Sequence, residues 1–450
     1  MNHSVFEQNS IFKTYMKFAL PVVFNMVISI IYNVADTFFI AQTNNLNLVA
    51  GVSLGSPIFM ILMAFGNILG QGGSSLIARL IGQKDTEKVK RVSSFCFYCA
   101  LLMGAAAGII MIIFQKSFLI LLGASSQTYE YARQYYIVLA AGAPLIVLSF
   151  IHSNLIRSEG MASESMIGSI SGTLVNIVLD PLFISVFGLG AGGAAIATVA
   201  GYTVTDVLLS VIVVKKSHYM TISPEYCMIE KAHFTQIFGI GIPAALTNIM
   251  SSICTILTNQ HLLAYGDDKI AAMGIVLKVS MIGTLVLTGF SFGGAPIIGY
   301  FYGARNKQKL EELFRFCFRF IIAAGTVLGA VLFLSTPYLL KMFISDAALM
   351  QEASIMFKLQ VVCLPFAAVV LMSTIFCQSF GKMSGSFVLS LSRQGFIFIA
   401  VIYVMAALFG YNGVISTQLT ADLVSMIIAL AVILKIIRPA INNIEIQNIQ

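Results

Sequence analysis

Charged residues are scarce in this chain of 450 residues. Asp, Glu, Lys and Arg make up 10% of it, hydrophobic residues make up 58%, and the mean hydropathy is +0.91. Soluble domains carry roughly a quarter of their residues as charged side chains, so a soluble globular protein is excluded. The apolar residues fall in runs long enough to cross ~30 Å of hydrocarbon. The sequence therefore predicts an all-α polytopic membrane protein.

Cysteines are also few, and their pattern argues against two further classes. The seven cysteines are odd in number and lie mostly inside apolar runs, so a disulfide framework is not expected. Cys96 and Cys99 form a CxxC pattern, but within a helical apolar run they are expected to be small hydrophobic side chains one turn apart. No cluster of His or Cys suggests metal chemistry.

The formal net charge of +7 does not indicate nucleic-acid binding. The basic residues fall in short segments between apolar runs, which is typical of membrane topology rather than of a phosphate-binding face. The first ten residues, MNHSVFEQNS, are polar, and the apolar run after them is too long for a signal peptide and lacks a small-residue cleavage site. We expect that run to remain as the first span.

Twelve apolar stretches are predicted to cross the membrane as helices. They cover approximately residues 13–41, 48–80, 92–114, 129–156, 165–187, 192–214, 234–264, 270–300, 313–335, 352–378, 386–408 and 413–436. Lysine and arginine are concentrated in the segments on the side of both termini, Arg393 among them. The other side holds only Lys116, Arg133, Lys269, Lys341 and Lys358. By the positive-inside rule we expect a multi-pass plasma-membrane protein, a monomer, with both termini in the cytoplasm.

The second half of the chain weakly repeats the first. The longest polar connection, Lys215–His233, leaves six predicted spans on each side. Corresponding positions include Pro21 with Pro243, Pro144 with Pro365, Gly160 with Gly381 and Gly190 with Gly410. The expected organisation is two pseudo-symmetric six-helix lobes, with an N-terminal lobe over 1–216, a cytoplasmic linker over 217–233, a C-terminal lobe over 234–438 and a tail over 439–450. Such repeats are typical of transporters, although a duplicated bundle also suits a channel or a flippase.

Four aspartates, Asp36, Asp180, Asp206 and Asp422, lie within the predicted spans, where an ionised carboxylate costs several kcal/mol. Asn176 and Asp180 are four residues apart and therefore share one helix face. Thr198 follows the next turn at a similar depth, and Asp36 lies near the outer end of the first span. The sequence predicts one oxygen-rich site formed by Asp36, Asn176, Asp180 and Thr198.

Two carboxylates with an amide and a hydroxyl suit a sodium ion or a shared proton, because two nearby acids in a low dielectric do not both stay ionised. No other cofactor is expected. For Asn176 and Thr198 alone, hydrogen bonding between helices is the alternative. Asp206 and Asp422 lie nearer the cytoplasmic ends and are either exposed, capping or functional. Lys278 either binds an anionic group or pairs with Asp422.

Prolines and glycines in the spans have two expected uses. Pro21, which precedes Asp36 in the first span, either allows that helix to bend or marks its start. The glycine series that begins at Gly66 and at Gly289 is expected to permit close helix packing rather than binding. The stretch GLGAGGAAIA at 188–197 superficially resembles a dinucleotide fingerprint, but no βαβ unit surrounds it.

Methionines are abundant, and soft, adaptable side chains suit the binding of varied apolar or aromatic cations. Candidate substrate-binding residues are Met26, Met63, Met250 and Met281. Core or lipid-facing packing is the alternative for each of them. Tyr32 lies one turn before Asp36 and offers its ring and hydroxyl to the same cavity.

Several of these segments together resemble one known family. The first span with Pro21, Tyr32 and Asp36, the RSEG at 157–160, the NIVLDP at 176–181 and the GAGGAAIAT at 190–198 resemble the multidrug and toxic compound extrusion family, in its DinF-like or MepA-like branch. The resemblance covers nearly the whole chain, including its twelve spans and central linker.

The resemblance implies an antiporter that exports varied, often cationic, compounds against sodium ions or protons by alternating access. It assigns Asp36, Asn176, Asp180 and Thr198 to the cation site of the first lobe, and Tyr32 and Asn154 to nearby cavity positions. The second half departs from the NorM-like branch, since it lacks acids at the corresponding places. A site for the coupling ion is therefore expected in the first lobe alone.

The function that follows is secondary active multidrug efflux, in which ion binding at Asp36 and Asp180 lets the first span bend near Pro21 and release substrate outward. The alternative is a flippase for a lipid-linked saccharide, which needs a basic cavity for its pyrophosphate. An intramembrane aspartyl protease is a further rival, but Asp36 and Asp180 lack a glycine-flanked catalytic context. We expect a transporter rather than an enzyme.

Overall fold

The computed structural model describes residue 6 and residues 10–43, 45–344 and 346–444. Within these ranges the chain is helical and contains no β-strand. The α-helices are α1 (Ile11–Ala41), α2 (Leu46–Ser53), α3 (Ser56–Gly82), α4 (Thr86–Ile113), α5 (Gln115–Leu121), α6 (Tyr129–Ser158), α7 (Ala162–Pro181), α8 (Gly190–Lys216), α9 (Lys231–Leu263), α10 (Asp267–Gly303), α11 (Lys307–Leu334), α12 (Thr336–Lys341), α13 (Ala347–Val362), α14 (Leu364–Ser379), α15 (Met383–Leu391), α16 (Ile397–Val432) and α17 (Arg438–Asn442).

Eleven helical stretches in the described part of the chain are long and apolar enough to cross a membrane. The all-α polytopic fold is therefore confirmed. The last stretch, Met383–Asn442, holds both the eleventh and the twelfth expected spans. Its backbone leaves the helical conformation at Gly410, where φ is 54° and ψ is −130°. Only glycine adopts this backbone without a steric penalty, so the two expected spans are divided at this residue.

Two other expected spans contain breaks that the apolar pattern does not reveal. The second is divided between α2 and α3, because α2 ends before Leu54 and α3 begins at Ser56 with Pro57 in its first turn. The tenth is divided at Cys363, and Pro365 stands in the first turn of α14. Proline lacks a backbone N–H and favours the start of a helix, so both breaks have a local cause.

The backbone repeats itself in the two halves. Gly160 and its counterpart Gly381 have φ values of 99° and 70°, and Gly190 and Gly410 both have φ values of 54°. The same holds for two residues other than glycine, since Lys84 and Arg305 have φ values of 62° and 54°. Each of these two precedes an Asp or Asn whose side chain accepts a hydrogen bond from the first turn of the next helix.

Contacts divide the chain into two compact units, one formed by residues 24–245 and the other by the residues up to 23 together with those from 246 onward. The boundaries of these units fall within α1 and α9. The division of the lobes at 217–233 stays a prediction. Pro21 is buried and lies inside the continuous helix α1 rather than at its start.

Within the 24–245 unit, side chains hold the long polar connection that follows α8. The hydroxyls of Ser94 and Tyr98 on α4 donate to backbone carbonyls of this connection over 2.6 and 3.0 Å. The buried carboxylate of Glu159 accepts hydrogen bonds from the hydroxyl of Ser217 and from the backbone N–H of His218, the latter over 2.8 Å. Burial raises the pKa of Glu159 above its ordinary value, although these hydrogen bonds act in the opposite direction.

Glycines bring helices into close contact, as the sequence predicts. In the 24–245 unit, a methyl group added at Gly72 would lie 2.0 Å from the carbonyl oxygen of Ile237. In the other unit, a methyl group at Gly293 on α10 would lie 2.3 Å from the Cα atom of Ala19 on α1. Small residues allow such close approach of helix backbones in membrane proteins.

We predict that Gly293→Ala destabilises the protein by about 1–3 kcal/mol, because the added methyl group has no space against α1. Gly274→Ala on the same helix is the matched control, since nothing lies within 4 Å of a methyl group there. The measurement is the midpoint of thermal unfolding in detergent. Equal midpoints for the two variants would contradict the close contact between α1 and α10.

Candidate functional site

Asn176, Asp180 and Thr198 are brought together by the packing of α7 against α8. The chain leaves α7 at Pro181, passes through a short wide helical turn at Leu182–Val186 and enters α8 at Gly190. Along the two helices, a methyl group at Gly172 would lie 2.4 Å from the carbonyl oxygen of Gly201. The absence of side chains at these glycines lets the helices approach closely, and the polar residues of each then face the other.

The polar side chains of α7 and α8 form a buried cluster. The Nδ2 group of Asn176 donates to Oδ1 of Asp180 over 3.4 Å and to Oγ1 of Thr198 over 3.5 Å. The hydroxyl of Thr198 donates to the carbonyl oxygen of Ala194 over 3.0 Å. Asp180 is 0% exposed, and Asn176 and Thr198 are each 3% exposed. The structure therefore places three of the four predicted site residues in direct contact.

Asp36 on α1 completes this group. It is partly buried, and its carboxylate interacts electrostatically with that of Asp180. The phenol groups of Tyr32 and Tyr135 both interact with Asp36 and with the hydroxyl of Thr198. Tyr32 occupies the position next to Asp36 that the sequence predicts, whereas Tyr135 on α6 is not among the predicted residues.

Three oxygen atoms of this cluster are buried and have no hydrogen-bond partner among the described residues. They are Oδ1 of Asp36, Oδ1 of Asn176 and Oδ2 of Asp180. Each unsatisfied buried acceptor costs about 1–3 kcal/mol. A proton or a cation at this point would satisfy them, so the donor set fits a hard monovalent cation or a shared proton. In the described part of the chain, no group of three or more His, Cys, Asp or Glu side chains is suited to a metal ion.

The remaining predicted residues lie outside this cluster. Asn154 on α6 donates to the carbonyl oxygen of Phe150 over 2.6 Å and accepts a hydrogen bond from Arg157. The predicted substrate-binding methionines belong to different units, Met26 and Met63 to one and Met250 and Met281 to the other. Met281 is 52% exposed, and the other three are partly buried.

The structure decides between the alternatives that the sequence leaves open for Asp422. Asp422 is 0% exposed, so it is neither water-exposed nor a cap. Nε of Arg393 donates to its Oδ1 over 2.8 Å, and the amide of Gln418 donates to the same atom over 3.0 Å. Asp422 is therefore paired with Arg393 rather than with Lys278, which is exposed. The side chain of Arg393 is 11% exposed, and its assignment to the cytoplasmic side stays a prediction.

The sequence contains an indication that Arg393 is buried, because this residue lies inside the apolar run predicted as the span 386–408. The structure adds the reason for its position. The backbone leaves helical geometry at Gln394 and Gly395, directly after Arg393, and separates α15 from α16. The break allows a long cationic side chain to reach Asp422 instead of following a regular helix face.

Comparison with known proteins gives a consistent result. A family model described as MatE matches residues 21–182 and 243–404. The chain is similar to the multidrug export protein MepA of Staphylococcus saprophyticus, with 30% identity over 95% of this chain and 94% of that protein, and to MepA of Staphylococcus aureus, with 29% identity over the same shares. A structure described as the outward-facing conformation of a multidrug resistance MATE family transporter of the MOP superfamily has a TM-score of 0.90 and 25% identity, covering 98% of both chains.

We predict that Arg393→Gln destabilises the protein by about 3–5 kcal/mol, because it leaves the buried Asp422 carboxylate without a counter-charge. The double variant Arg393→Gln with Asp422→Asn should recover most of this loss, since two neutral amides replace the ion pair. Thermal unfolding in detergent measures both effects. A double variant no more stable than Arg393→Gln alone would show that the charge on Asp422 is not the cause.

Proposed function

The chain belongs to the MatE family, and on this premise we propose that it is a secondary active multidrug efflux transporter that exchanges organic, often cationic, compounds for H+ or Na+. The coupling ion would bind at Asp36, Asn176, Asp180 and Thr198. The observation that carries the proposal is the set of three buried oxygen acceptors without partners at these residues.

The physical argument rests on the cost of charge in hydrocarbon. Two carboxylates that interact in a buried site do not both stay ionised without compensation. The cluster therefore favours a bound proton or a monovalent cation. Asn176 Oδ1 and Thr198 Oγ1 supply neutral oxygens beside the carboxylates, which is the donor set that a sodium ion accepts. Binding of either ion changes the net charge of the site, and such a change can bias a transporter between two conformations.

The energetics permit accumulation against a gradient. One elementary charge that crosses ~100 mV supplies about 2.3 kcal/mol, and each ~1.4 kcal/mol corresponds to a tenfold concentration ratio. Exchange of one monovalent ion for one monocationic compound moves no net charge. In that stoichiometry the chemical gradient of the ion alone would drive export.

The proposed orientation follows from the basic residues. Lys215 and Lys216 at the end of α8 and Arg79 near the end of α3 lie on the side that carries both termini, which we assign to the cytoplasm. Asp180 lies near the end of α7 and Thr198 in the first part of α8, away from these basic residues. Both then lie in the outer half of a plasma membrane. A monomer without enzymatic activity suffices for this function.

Tyr32 and the partly buried Met26 and Met63 are proposed to contact the transported compound from the unit that holds the ion site, because aromatic and thioether side chains suit apolar cations. The flippase alternative requires free cations inside the bundle. Arg393 is neutralised by Asp422, which argues against a pyrophosphate site at that arginine.

We predict that Asp36→Asn and Asp180→Asn each reduce ion-driven export at least ~10-fold, because a neutral amide cannot exchange a proton or hold a cation by charge. The measurement is efflux of ethidium from proteoliposomes, with pH and sodium gradients imposed separately. The gradient that drives wild-type efflux identifies the coupling ion.

Asp267→Asn serves as the control, because Asp267 is exposed in the first turn of α10, belongs to the other compact unit and loses the same charge on substitution. Its efflux rate should equal that of the wild type. If the two cluster variants, correctly inserted, also export ethidium at the wild-type rate, the coupling role of Asp36 and Asp180 is excluded.

A further inference from the structure

A second pair of buried titratable groups lies in the 24–245 unit, apart from the ion cluster. Nδ1 of His152 on α6 lies 3.9 Å from Oδ1 of Asp206 on α8. The two residues are 2% and 4% exposed. Of the alternatives that the sequence leaves open for Asp206, a water-exposed position is wrong, because this residue is buried against a histidine.

The polar atoms of this pair lack hydrogen bonds. Both ring nitrogens of His152 and both carboxylate oxygens of Asp206 are buried and have no hydrogen-bond partner among the described residues. Without an added proton, an ionised Asp206 has no counter-charge, which is costly in a buried site. With one added proton, the pair is either an imidazolium beside a carboxylate or a neutral imidazole beside a protonated carboxyl group, and its net charge is zero in both forms. The pair is therefore suited to bind a proton.

The buried pair in the other unit differs in kind. Arg393 donates directly to Asp422, and a guanidinium does not release its proton in a protein. That pair has a constant charge. An imidazole and a carboxyl group can both exchange protons, so the His152 and Asp206 pair is the one of the two that can take up and release a proton.

The surroundings of the pair contain few competing charges. The phenol of Tyr202, one turn before Asp206 on α8, interacts electrostatically with Asp206. The ring centroid of Phe97 on α4 lies 5.2 Å from that of the His152 imidazole, and Cys96 and Cys99 lie near Phe97 on the same helix. Three charged side chains at the ends of neighbouring helices have other partners. Arg79 binds Ser75 and Gln236, Arg157 binds Asn154, and Glu164 pairs with Lys216.

The pair lies between the ion cluster and the proposed cytoplasmic side. Thr198, Tyr202 and Asp206 are spaced four residues apart and therefore share one face of α8. At a rise of ~1.5 Å per residue, Asp206 is about 12 Å further along the helix than Thr198. Tyr202 also interacts with Tyr32 and Tyr135, which interact with Asp36. Tyr202 therefore lies along α8 between the two acidic sites.

We propose that His152 and Asp206 form a second proton-binding site, which takes a proton that leaves the Asp36 and Asp180 cluster and releases it on the cytoplasmic side. This inference rests on the proposed function and specifies H+ as an ion that the 24–245 unit handles. In each cycle, the pair gains a proton as the cluster loses one, and it returns to its starting state when the proton leaves.

The test compares two activities of purified protein in proteoliposomes. The first is net ethidium efflux driven by a pH gradient. The second is exchange of radiolabelled for unlabelled ethidium at equal pH, which requires conformational cycling but no proton release to the inside. We expect Asp206→Asn and His152→Gln to lower the first at least ~10-fold and to leave the second within about twofold of the wild type, because only proton transfer is affected.

Asp206→Glu should restore proton-driven efflux, since it keeps the carboxylate. Loss of both activities together in Asp206→Asn and His152→Gln, with normal insertion, would overturn the proposal in favour of a structural role. Unchanged efflux in both variants would also overturn it, as would wild-type efflux driven by sodium and indifferent to pH, although the exporter assignment would then stand. Absence of ethidium efflux and exchange in the wild type would instead refute the proposed function itself.

Discussion

The cost of a carboxylate in hydrocarbon is the constraint on which the polar architecture of this protein depends. All four intramembrane aspartates are at least partly buried, but their surroundings differ. Asp422 faces a guanidinium, Asp206 faces an imidazole, and Asp36 and Asp180 interact with each other beside an amide and a hydroxyl. Among the described residues, only Asp422 has a counter-charge that is permanent.

This difference contrasts with the symmetry of the backbone. The two halves share their turn conformations, seen in the positive φ values of Gly160 and Gly381 and of Lys84 and Arg305. Close helix contacts at glycine are present in both units as well. The two halves therefore share backbone geometry at these turns, whereas the buried polar side chains of the two units form different pairs and clusters.

Much of the fold could be predicted from the sequence, because long apolar runs and turn glycines reflect local and additive preferences. The contact between Asn176 and Asp180 could be predicted for the same reason, as a spacing of four residues places both on one helix face. The partners of Asp206 and Asp422 could not. His152 and Arg393 are distant in the chain, and only the tertiary packing of helices brings them to these acids.

The helix interruptions show a similar limit. A hydropathy profile does not reveal a helix break at a single residue such as Gly410, because one non-helical residue hardly changes the mean hydropathy of the run. Such breaks nevertheless decide where polar side chains point, as the irregular turn after Arg393 shows. A permanent counter-charge makes the Arg393 and Asp422 pair a constant part of its unit. The intramembrane acids of the 24–245 unit have no permanent counter-charge among the described residues, and this is the property that the proposed ion-coupled cycle requires.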